Sequence, residues 1–299
     1  MKKRLTSIFL ITMVIFLLVP MSTFADIGPK PSVVLNFKGL EGEKYYVTLL
    51  SETDSTGPYS ILTNESYSAK YSEDDKDYDI WKTFISYDDS DGYYFLQYFQ
   101  DCSNTSKFAW TYYPPSKFKI LLYFPDKNTF VESSEIYERY AFDSYYTVDT
   151  KNLDIQPQSV IVNGFEAHKN YDFTWEIISL IARIIATIII EVLIALLFGF
   201  NSKKQILFIA VTNIITQSIL NILLNVFNYS YGNMAFVLNY VWMEILVFAI
   251  ESFMYASYLG KYNSNTSIKK SKCVIYALIA NMLSFIAGLG LAIIIPGIF

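Results

Sequence analysis

Histidine and cysteine are almost absent from this sequence. Its 299 residues contain one histidine, His168, and two cysteines, Cys102 and Cys273. The apolar part of the chain that follows His168 therefore has no histidine for a metal site or a nucleophile–histidine dyad. His168 itself is predicted to lie at the surface. The sequence also lacks a phosphate-binding loop and a dinucleotide fingerprint, so we expect no catalytic set, no cofactor and no resident metal.

Charged residues are scarce after residue 172. Residues 173–299 contain four of the 28 acidic residues, whereas residues 26–172 contain 24 of them and 13 of the 23 basic residues. The chain is 53% hydrophobic and its mean hydropathy is +0.28, values typical of a partly membrane-embedded protein. We infer an acidic soluble segment followed by a membrane segment. The acidity of the soluble segment argues against a nucleic-acid partner.

The first 25 residues have the three parts of a secretory signal peptide. A basic start of Lys2, Lys3 and Arg4 precedes an apolar run over residues 5–19, and a small-residue exit ends at Ala25. We predict cleavage after Ala25. The alternative is an uncleaved anchor, for which the apolar run is short. Export would place the following segment outside the cytoplasm.

Residues 26–172 are predicted to form an extracytoplasmic all-β domain. Short runs rich in aromatic and β-branched residues are separated by turn-forming residues. Six or more strands at this spacing favour a β-sandwich, with an immunoglobulin-like fold as the specific expectation. The run YDIWKTFISY could form a short helix instead. The runs predicted to be strands are VVLNF, KYYVTLL, YYFLQYF, FAWTYY, FKILLYF and SYYTVD.

Four apolar stretches in residues 173–299 are long enough to cross a membrane as helices. They lie at about 173–200, 205–227, 234–260 and 273–297. The loops at residues 201–204 and 261–272 carry lysines, so the positive-inside rule puts both loops in the cytoplasm of a multi-pass cell-membrane protein. The signal peptide predicts the same orientation. Cys102 and Cys273 then lie on opposite sides of the membrane and are not expected to pair.

Each predicted helix carries one polar side chain at nearly the same depth. Counting inward from the cytoplasmic ends places Glu191, Asn213, Glu251 and Asn281 about 12–13 Å deep. A charged group in hydrocarbon costs roughly 2.5–3.5 kcal/mol on the insertion scale, so these side chains are predicted to face one another inside a four-helix bundle. They form our candidate intramembrane polar site.

A second polar layer is predicted about 24 Å from the cytoplasmic ends. Arg183 and Glu244 are expected to form an ion pair in this layer. Regular spacing supports the inward orientation, since Arg183, Thr187 and Glu191 follow one another at four-residue intervals on one helical face. The supporting polar side chains on the predicted stripes are Thr187, Gln217, Asn221 and Ser284.

Two carboxylates at one depth in a membrane cannot easily both be ionised. A proton on the Glu191–Glu251 pair, or a bridging cation, would relieve their repulsion. Three interpretations are open: the polar layer is packing glue between helices, it binds a proton or cation, or it performs acid–base catalysis. Catalysis is the weakest of the three, because neither a nucleophile nor a set of metal ligands accompanies the carboxyls.

The acidic loop DDSDGYYF at residues 88–95 partly matches a calcium-binding loop. With Gly92 aligned to the glycine of an EF-hand, Tyr87 and Tyr98 occupy positions that need acidic ligands. The EF-hand is therefore rejected, and a calcium site of another kind in this loop is left as an alternative.

Tyrosine is concentrated in the predicted β domain, where residues 26–172 hold 18 of the 25 tyrosines. Adjacent residues of a strand point to opposite faces, so one member of each Tyr–Tyr pair is expected at the surface. Surface tyrosines suit binding to a protein or a glycan. The alternative is that they are ordinary strand-forming residues.

The whole chain resembles uncharacterised four-helix integral membrane proteins with an exported β domain from low-GC Gram-positive bacteria. The resemblance rests on the signal peptide, on DIGPKPS, FKILLYFPD and YERYAFDSYYTVD, and on the membrane runs EVLIALLFG, TNIITQSILN and NMLSFIAG together with Glu244 and Glu251. It implies a location in the bacterial cell envelope. It implies no catalytic or binding residues.

We expect a non-enzymatic membrane protein. In the favoured interpretation the exported domain binds an envelope protein or glycan, and the helix bundle anchors this domain and relays its state. The alternative is a small proton- or cation-coupled transporter or channel subunit that uses Glu191 and Glu251. An intramembrane enzyme is the third interpretation.

Overall fold

A computed structural model of the chain describes residues 28–63, 69–151, 153–262 and 268–294. The predicted signal peptide at residues 1–25 lies outside these described residues. The chain divides into two compact units. Lys30–Tyr171 forms one of them, which we call the β unit, and the other includes Asp172–Phe299. The four long helices of this second unit are called the helix bundle.

Thirteen strands and one short helix build the β unit within the described residues. The strands are β1 Ser32–Lys38, β2 Tyr46–Ser51, β3 Ser55–Thr56, β4 Tyr59–Ser60, β5 Tyr94–Phe95, β6 Gln100–Asp101, β7 Lys107–Trp110, β8 Lys117–Phe124, β9 Thr129–Ser133, β10 Tyr137–Glu138, β11 Asp143–Asp149, β12 Val160–Phe165 and β13 Ala167–Lys169. The helix α1 spans Tyr78–Ile85 and buries Trp81 and Phe84, which are three residues apart and so share one helical face.

The larger strands belong to two sheets. One sheet has the order β13-β11-β1-β7, and a seven-stranded sheet has the main path β12-β9-β8-β2-β5. β1 pairs with β11 in parallel and β12 pairs with β9 in parallel, whereas β8 runs antiparallel to both β2 and β9. β8 therefore lies inside its sheet, with paired neighbours on both sides.

The seven-stranded sheet is covered on both faces around β8. Ile120 lies in a core shared with the four-stranded sheet, whereas its neighbour Leu121 lies in a second core with Phe84 of α1. Successive residues of a strand point to opposite faces, so a doubly covered strand is apolar almost throughout. Lys119 is the exception, because it is charged, buried, and on the α1 face of β8.

The expectation of a β-rich segment is confirmed, but an immunoglobulin-like sandwich is not. The parallel pairings of β1 with β11 and of β9 with β12 distinguish the unit from a simple antiparallel sandwich. Residues 93–99 form only the two-residue strand β5, because Gln97 has a φ of 60° that interrupts extended backbone. YDIWKTFISY is largely helical, and β9 is missing from the predicted strands.

Four long helices follow the β unit along the chain. They are α2 Thr174–Leu197, α3 Lys203–Tyr231, α4 Asn233–Tyr258 and α5 Lys270–Ile294, with a 3-10 helix at Leu259–Tyr262 extending α4. All four are long and apolar enough to cross a membrane, as expected of a multi-pass membrane protein. Ser202 and Gln205 form a capping box at the start of α3, so Lys203 and Lys204 lie in its first turn rather than in a loop.

The helix bundle has polar residues inside and apolar residues outside. Every fourth residue of α2 is buried, namely Ser179, Arg183, Thr187, Glu191 and Ala195. Another face of the same helix exposes Ile177, Ile181, Ile185, Ile189 and Leu193. A water-soluble bundle has the reverse arrangement, whereas lipid requires the polar groups to satisfy one another internally. The exposed surface of the bundle therefore suits hydrocarbon.

Candidate functional site in the helix bundle

Glu191 of α2 is fully buried at the centre of a hydrogen-bond network. Asn213 Nδ2 donates to Glu191 Oε2 at 2.7 Å. The hydroxyls of Tyr255 and Tyr276 each donate to the same oxygen at 3.3 Å, and Tyr276 also lies 3.2 Å from the backbone carbonyl of Glu191. Helices α3, α4 and α5 therefore each present a donor to one carboxyl of α2.

Glu251 of α4 is also fully buried, and it has its own donors. Thr216 Oγ1 donates to Glu251 Oε1 at 2.6 Å, and Asn281 Nδ2 donates to Glu251 Oε2 at 2.8 Å. Ser284 Oγ donates to the backbone carbonyl of Asn281 at 3.0 Å. Glu251 is thus held by α3 on one side and by α5 on the other.

The carboxyls of Glu191 and Glu251 lie close enough to each other to interact directly. Two ionised carboxylates have only acceptor atoms, so a hydrogen bond between them needs a proton on one of them. Within residues 28–63, 69–151, 153–262 and 268–294, neither carboxyl pairs with a lysine or an arginine. Full ionisation would leave two uncompensated charges in a site closed to water, which is strongly unfavourable.

The oxygens of the pair are not equivalent. Glu191 Oε2 accepts the three bonds described above, whereas Glu191 Oε1 has no hydrogen-bond partner among the described residues, so Oε1 is the oxygen with a lone pair available for a proton. The amide and hydroxyl hydrogens that meet the carboxyls stabilise negative charge. The geometry can therefore hold one proton on the pair together with one negative charge.

Arg183 and Glu244 do not form the predicted ion pair. The Arg183 guanidinium instead lies 4.8 Å from the ring centroid of Tyr240 and 5.4 Å from that of Phe236, and its Nη1 lies 3.4 Å from Asn221 Oδ1. Glu244 lies near Tyr240, and its Oε2 has no hydrogen-bond partner among the described residues. The ring of Tyr240 therefore takes the place of the predicted acidic partner, since an aromatic ring attracts a cation.

The other predicted polar side chains take several positions. Asn221 Nδ2 donates to the backbone carbonyl of Gln217 at 2.8 Å and lies 3.4 Å from its Oε1. Thr187 is buried between Arg183 and Glu191 along the α2 stripe. Asn213 and Asn281 each leave their Oδ1 without a donor among the described residues. The polar groups of the bundle thus extend in both directions from the carboxyl pair.

Three residues that contact the pair are not among those predicted from the sequence: Thr216, Tyr255 and Tyr276. Tyr255 follows Glu251 by four residues and Thr216 follows Asn213 by three, so each shares a helical face with a predicted residue. This spacing could have identified them. Tyr276 does not share the face of Asn281, and only the packing of α5 against α2 brings its hydroxyl to Glu191.

A second buried charged cluster lies in the β unit, on the α1 face of β8. Lys119 Nζ lies 2.8 Å from Asp89 Oδ1, 2.6 Å from Asp91 Oδ2 and 2.6 Å from Glu132 Oε1. The three carboxylates are close enough together to hold a metal ion, and the ammonium group stands among them. Lys119 thus supplies the positive charge that a calcium ion would have supplied to loop 88–95.

Electrostatics favour the ion-paired form of this cluster. Burial lowers the pKa of Lys119, but its hydrogen bonds to Asp89, Asp91 and Glu132 outweigh burial and raise that pKa above the usual range. Burial raises the pKa of Asp89, but hydrogen bonds from Lys119 and from the Tyr93 backbone lower it overall. The resting cluster is therefore an ammonium among carboxylates.

No family model matches this chain, and neither a curated protein nor a solved structure matches it. The four helices long and apolar enough to cross a membrane, following a β-rich unit, are consistent with a multi-pass membrane protein. Function has to be argued from the chemistry of the sites themselves.

Proposed function

We propose that this protein is a proton-responsive membrane anchor of the bacterial cell envelope. The β unit is extracytoplasmic and binds a protein or a glycan, and the helix bundle anchors it and relays its state. The observation that carries the proposal is the Glu191–Glu251 carboxyl pair, whose two members are fully buried, lie close together and are surrounded by neutral donors.

All four helices meet at this pair, which is why a proton there can act on the whole bundle. Glu191 and Glu251 come from α2 and α4, and Asn213 and Asn281 reach them from α3 and α5. Loss of the shared proton would leave two negative charges in contact. The helices would then have to separate or admit water. Proton occupancy therefore distinguishes two packings of the bundle, which is the requirement for a relay.

The lysines at the helix ends support the proposed orientation. The start of α3 carries Lys203 and Lys204, the 3-10 helix after α4 carries Lys261, and α5 begins at Lys270. In an up-and-down bundle these ends share one side. A concentration of lysines on one side favours the cytoplasm, and the β unit, which precedes α2, then lies on the other side.

Exposed aromatic side chains support a binding role for the β unit. Tyr94 is 42% exposed and Tyr112 is 38% exposed, and each belongs to one of the Tyr–Tyr pairs identified in the sequence. Tyrosine combines a large apolar ring with a polar hydroxyl, and it is enriched where proteins bind other molecules.

A proton- or cation-coupled transporter or channel subunit is the second candidate. A cavity of about 180 Å³ is lined by residues of α4 and α5, among them Glu244 and Asn281. Asn281 donates to Glu251, so a single side chain connects this cavity with the carboxyl pair. Most residues that line the cavity are apolar, so Glu244 and Asn281 are its polar groups, and a transport route would have to pass them to reach the pair.

Vesicles containing the full-length protein test both candidates. An internal pH-sensitive dye reports proton flux after a pH jump, and hydrogen exchange reports the packing of α2–α5 at each pH. The proposed relay predicts pH-dependent exchange in the bundle and no flux above that of empty vesicles. Glu251→Gln should remove the pH dependence and keep the fold, whereas Glu176→Gln, at the start of α2 and outside the layer, should behave as wild type.

The other outcomes separate the alternatives. Proton flux in wild type that is lost in Glu251→Gln would refute the relay and support a transporter or channel. Flux or hydrogen exchange that depends on sodium at constant pH would show that the pair binds a metal cation rather than a proton. Wild-type protein that shows neither flux nor pH-dependent exchange would contradict both proposals and leave the layer as packing glue.

A further inference from the structure

We propose that Lys119 and Asp89 become joined by an intramolecular isopeptide bond whose formation is catalysed by Glu132. Lys119 Nζ lies 2.8 Å from Asp89 Oδ1 and 2.6 Å from Glu132 Oε1, and one oxygen of each carboxyl lies within 4.8 Å of the other. The amine therefore contacts both the carboxyl it would attack and a second carboxyl that can carry protons, which is the set of groups that amide formation requires.

Burial reduces the main obstacle to this reaction, which is water. The side chains of Asp89, Glu132 and Lys119 are 0%, 2% and 5% exposed. Burial also eases transfer of the ammonium proton to a carboxylate, because neutral groups are easier to bury than charged ones. It also protects the amide from hydrolysis. The ring of Tyr93, 5.3 Å from Nζ, and Tyr87, which donates to Glu132 Oε2, lie beside the cluster.

Asp89 is the carboxyl best placed for attack. Its Oδ2 accepts backbone N–H bonds from Asp91 at 3.1 Å and from Tyr93 at 2.9 Å, which leaves Oδ1 directed towards Lys119. The two N–H groups would stabilise the negative charge that develops on Oδ2 during attack, as an oxyanion hole does. The side chain of Asp91 also meets the ammonium, but it is 63% exposed and in contact with water.

The reaction is balanced without an oxidant or a cofactor. The ammonium of Lys119 transfers a proton through Glu132 to Asp89 Oδ1. The neutral amine then attacks Asp89 Cγ, so that the N–C bond forms and the C=O π electrons move to Oδ2. Glu132 takes a second proton from the nitrogen and delivers it to Oδ1, which leaves as water while the electrons return from Oδ2. The products are one amide, one water molecule and the original Glu132 carboxylate.

The bond would fasten the loop after α1 to the middle of the seven-stranded sheet. The net increase in the pKa of Lys119, in which its carboxylate partners outweigh burial, makes the neutral amine rare and the reaction slow. A slow reaction is sufficient because each molecule reacts once. Residues 26–172 contain a single cysteine, Cys102, so this segment cannot close a disulfide of its own, and the isopeptide would supply a covalent cross-link instead.

Intact-mass spectrometry of the full-length protein in detergent tests the proposal with an internal control. Lys117 lies on the same strand and faces Glu138 at 3.6 Å, but both side chains are well exposed. The variants Lys117→Arg and Lys119→Arg have the same sequence mass. We expect Lys117→Arg to be lighter than Lys119→Arg by one water molecule, because only Lys119→Arg lacks the reacting amine. Peptide mapping of wild type should recover the segments containing Asp89 and Lys119 as one linked species.

Three results would overturn the proposal or a part of it. Equal masses for the two variants, with separate peptides in wild type, would show that no bond forms. A link from Lys119 to Asp91 or Glu132 would refute the assignment to Asp89. Glu132→Gln protein that is linked as fully and as fast as wild type would refute the catalytic role of Glu132, whereas folded, unlinked Glu132→Gln protein supports it.

Discussion

The two buried acidic clusters of this protein are stabilised by different kinds of positive charge. In the β unit the carboxylates of Asp89 and Glu132 surround the ammonium of Lys119. In the helix bundle Glu191 and Glu251 contact neutral donors and each other, so the compensating charge is a proton. The first cluster has a cation fixed by the sequence, whereas the second has one that can leave.

This difference separates a structural role from a responsive one. A fixed ammonium cannot be lost at any ordinary pH, so the β-unit cluster stays in one state or reacts covalently within itself. A shared proton exchanges with the surroundings whenever the bundle admits water. A carboxyl pair without a cation is therefore the part of the molecule in which a change of state can start.

The largest expected effect comes from removing the fixed cation. In unlinked protein, Lys119→Met leaves buried carboxylates unpaired, and breaking a buried ion pair in this way costs about 3–5 kcal/mol. In linked protein the same substitution also removes the cross-link. Urea unfolding, monitored through hydrogen exchange in β8 and β9, measures the loss of unfolding free energy. Lys117→Met, on the same strand but 45% exposed, should cost less than about 1 kcal/mol. Equal losses for the two variants would contradict the importance of the cluster.

The stability of the helix bundle should change less when the charge of one carboxyl is removed. Glu251→Gln keeps the shape and one acceptor oxygen, so we expect a change in unfolding free energy within about 1 kcal/mol, similar to that of one hydrogen bond. Glu251→Ala removes the acceptor of Thr216 and Asn281 and leaves a cavity, at a cost of about 2–4 kcal/mol. Unfolding in mixed micelles measures both. A Glu251→Gln variant as unstable as Glu251→Ala would show that the negative charge itself is required.

Some residues of the helix-bundle cluster could be predicted from the sequence, and others could not. Glu191, Asn213, Glu251 and Asn281 stand out because helical geometry is local, so depth and face follow from counting residues. The structure brings these four together. The contact of Arg183 with the ring of Tyr240 could not be derived in this way, because charge alone favours an acidic partner.

The β-unit cluster could not be predicted from the sequence, for a different physical reason. Glu132 reaches Lys119 through the antiparallel pairing of β8 with β9, and Asp89 reaches it from a loop that follows α1. Strand register depends on contacts between distant parts of the chain. The acidic residues of loop 88–95 are visible in the sequence, but no local pattern predicts that a lysine lies among them.

A smaller effect is expected on acidification, wherever the Asp89 carboxyl is free. Its pKa is lower in the folded unit than in the unfolded chain, so it adds stability above the ordinary Asp value of about 4 and loses this as the pH falls through the folded pKa. The raised pKa of Lys119 affects the unfolding free energy only at alkaline pH. Glu132→Gln, in which Asp89 stays unlinked, should lose β-unit stability in acid.

An acid titration of the unfolding free energy provides the check and its control. The double variant Asp89→Asn/Glu132→Gln lacks the titrating carboxyl, so its unfolding free energy should not fall over this acidic range. The unfolding free energy of linked wild-type protein should also stay constant there, because its Asp89 carboxyl has become an amide. Equal acid sensitivity in all three proteins would assign the effect to other groups.

The smallest effect is expected from single donors of the bundle. Tyr276→Phe removes one hydroxyl from Glu191, at a cost of about 0.5–1.5 kcal/mol. Tyr258→Phe, at an exposed position near the end of α4, is the matched control and should be neutral. Tyr276→Phe should also change the pH dependence of bundle exchange, because the missing bond stabilises the charged form of Glu191. An unchanged profile would show that the hydroxyl only fills space.

Infrared spectroscopy of the full-length protein in membranes tests whether Glu191 and Glu251 share a proton. We expect a carboxylic-acid C=O band at neutral pH that is absent from both Glu191→Gln and Glu251→Gln. Either substitution leaves a single carboxylate, whose charge the amide and hydroxyl donors stabilise, and no second carboxyl to share a proton with it. Glu176→Gln should retain the band. If wild type shows no such band, or if the band survives in both pair variants, the two carboxyls do not share a proton and the proposed relay is wrong.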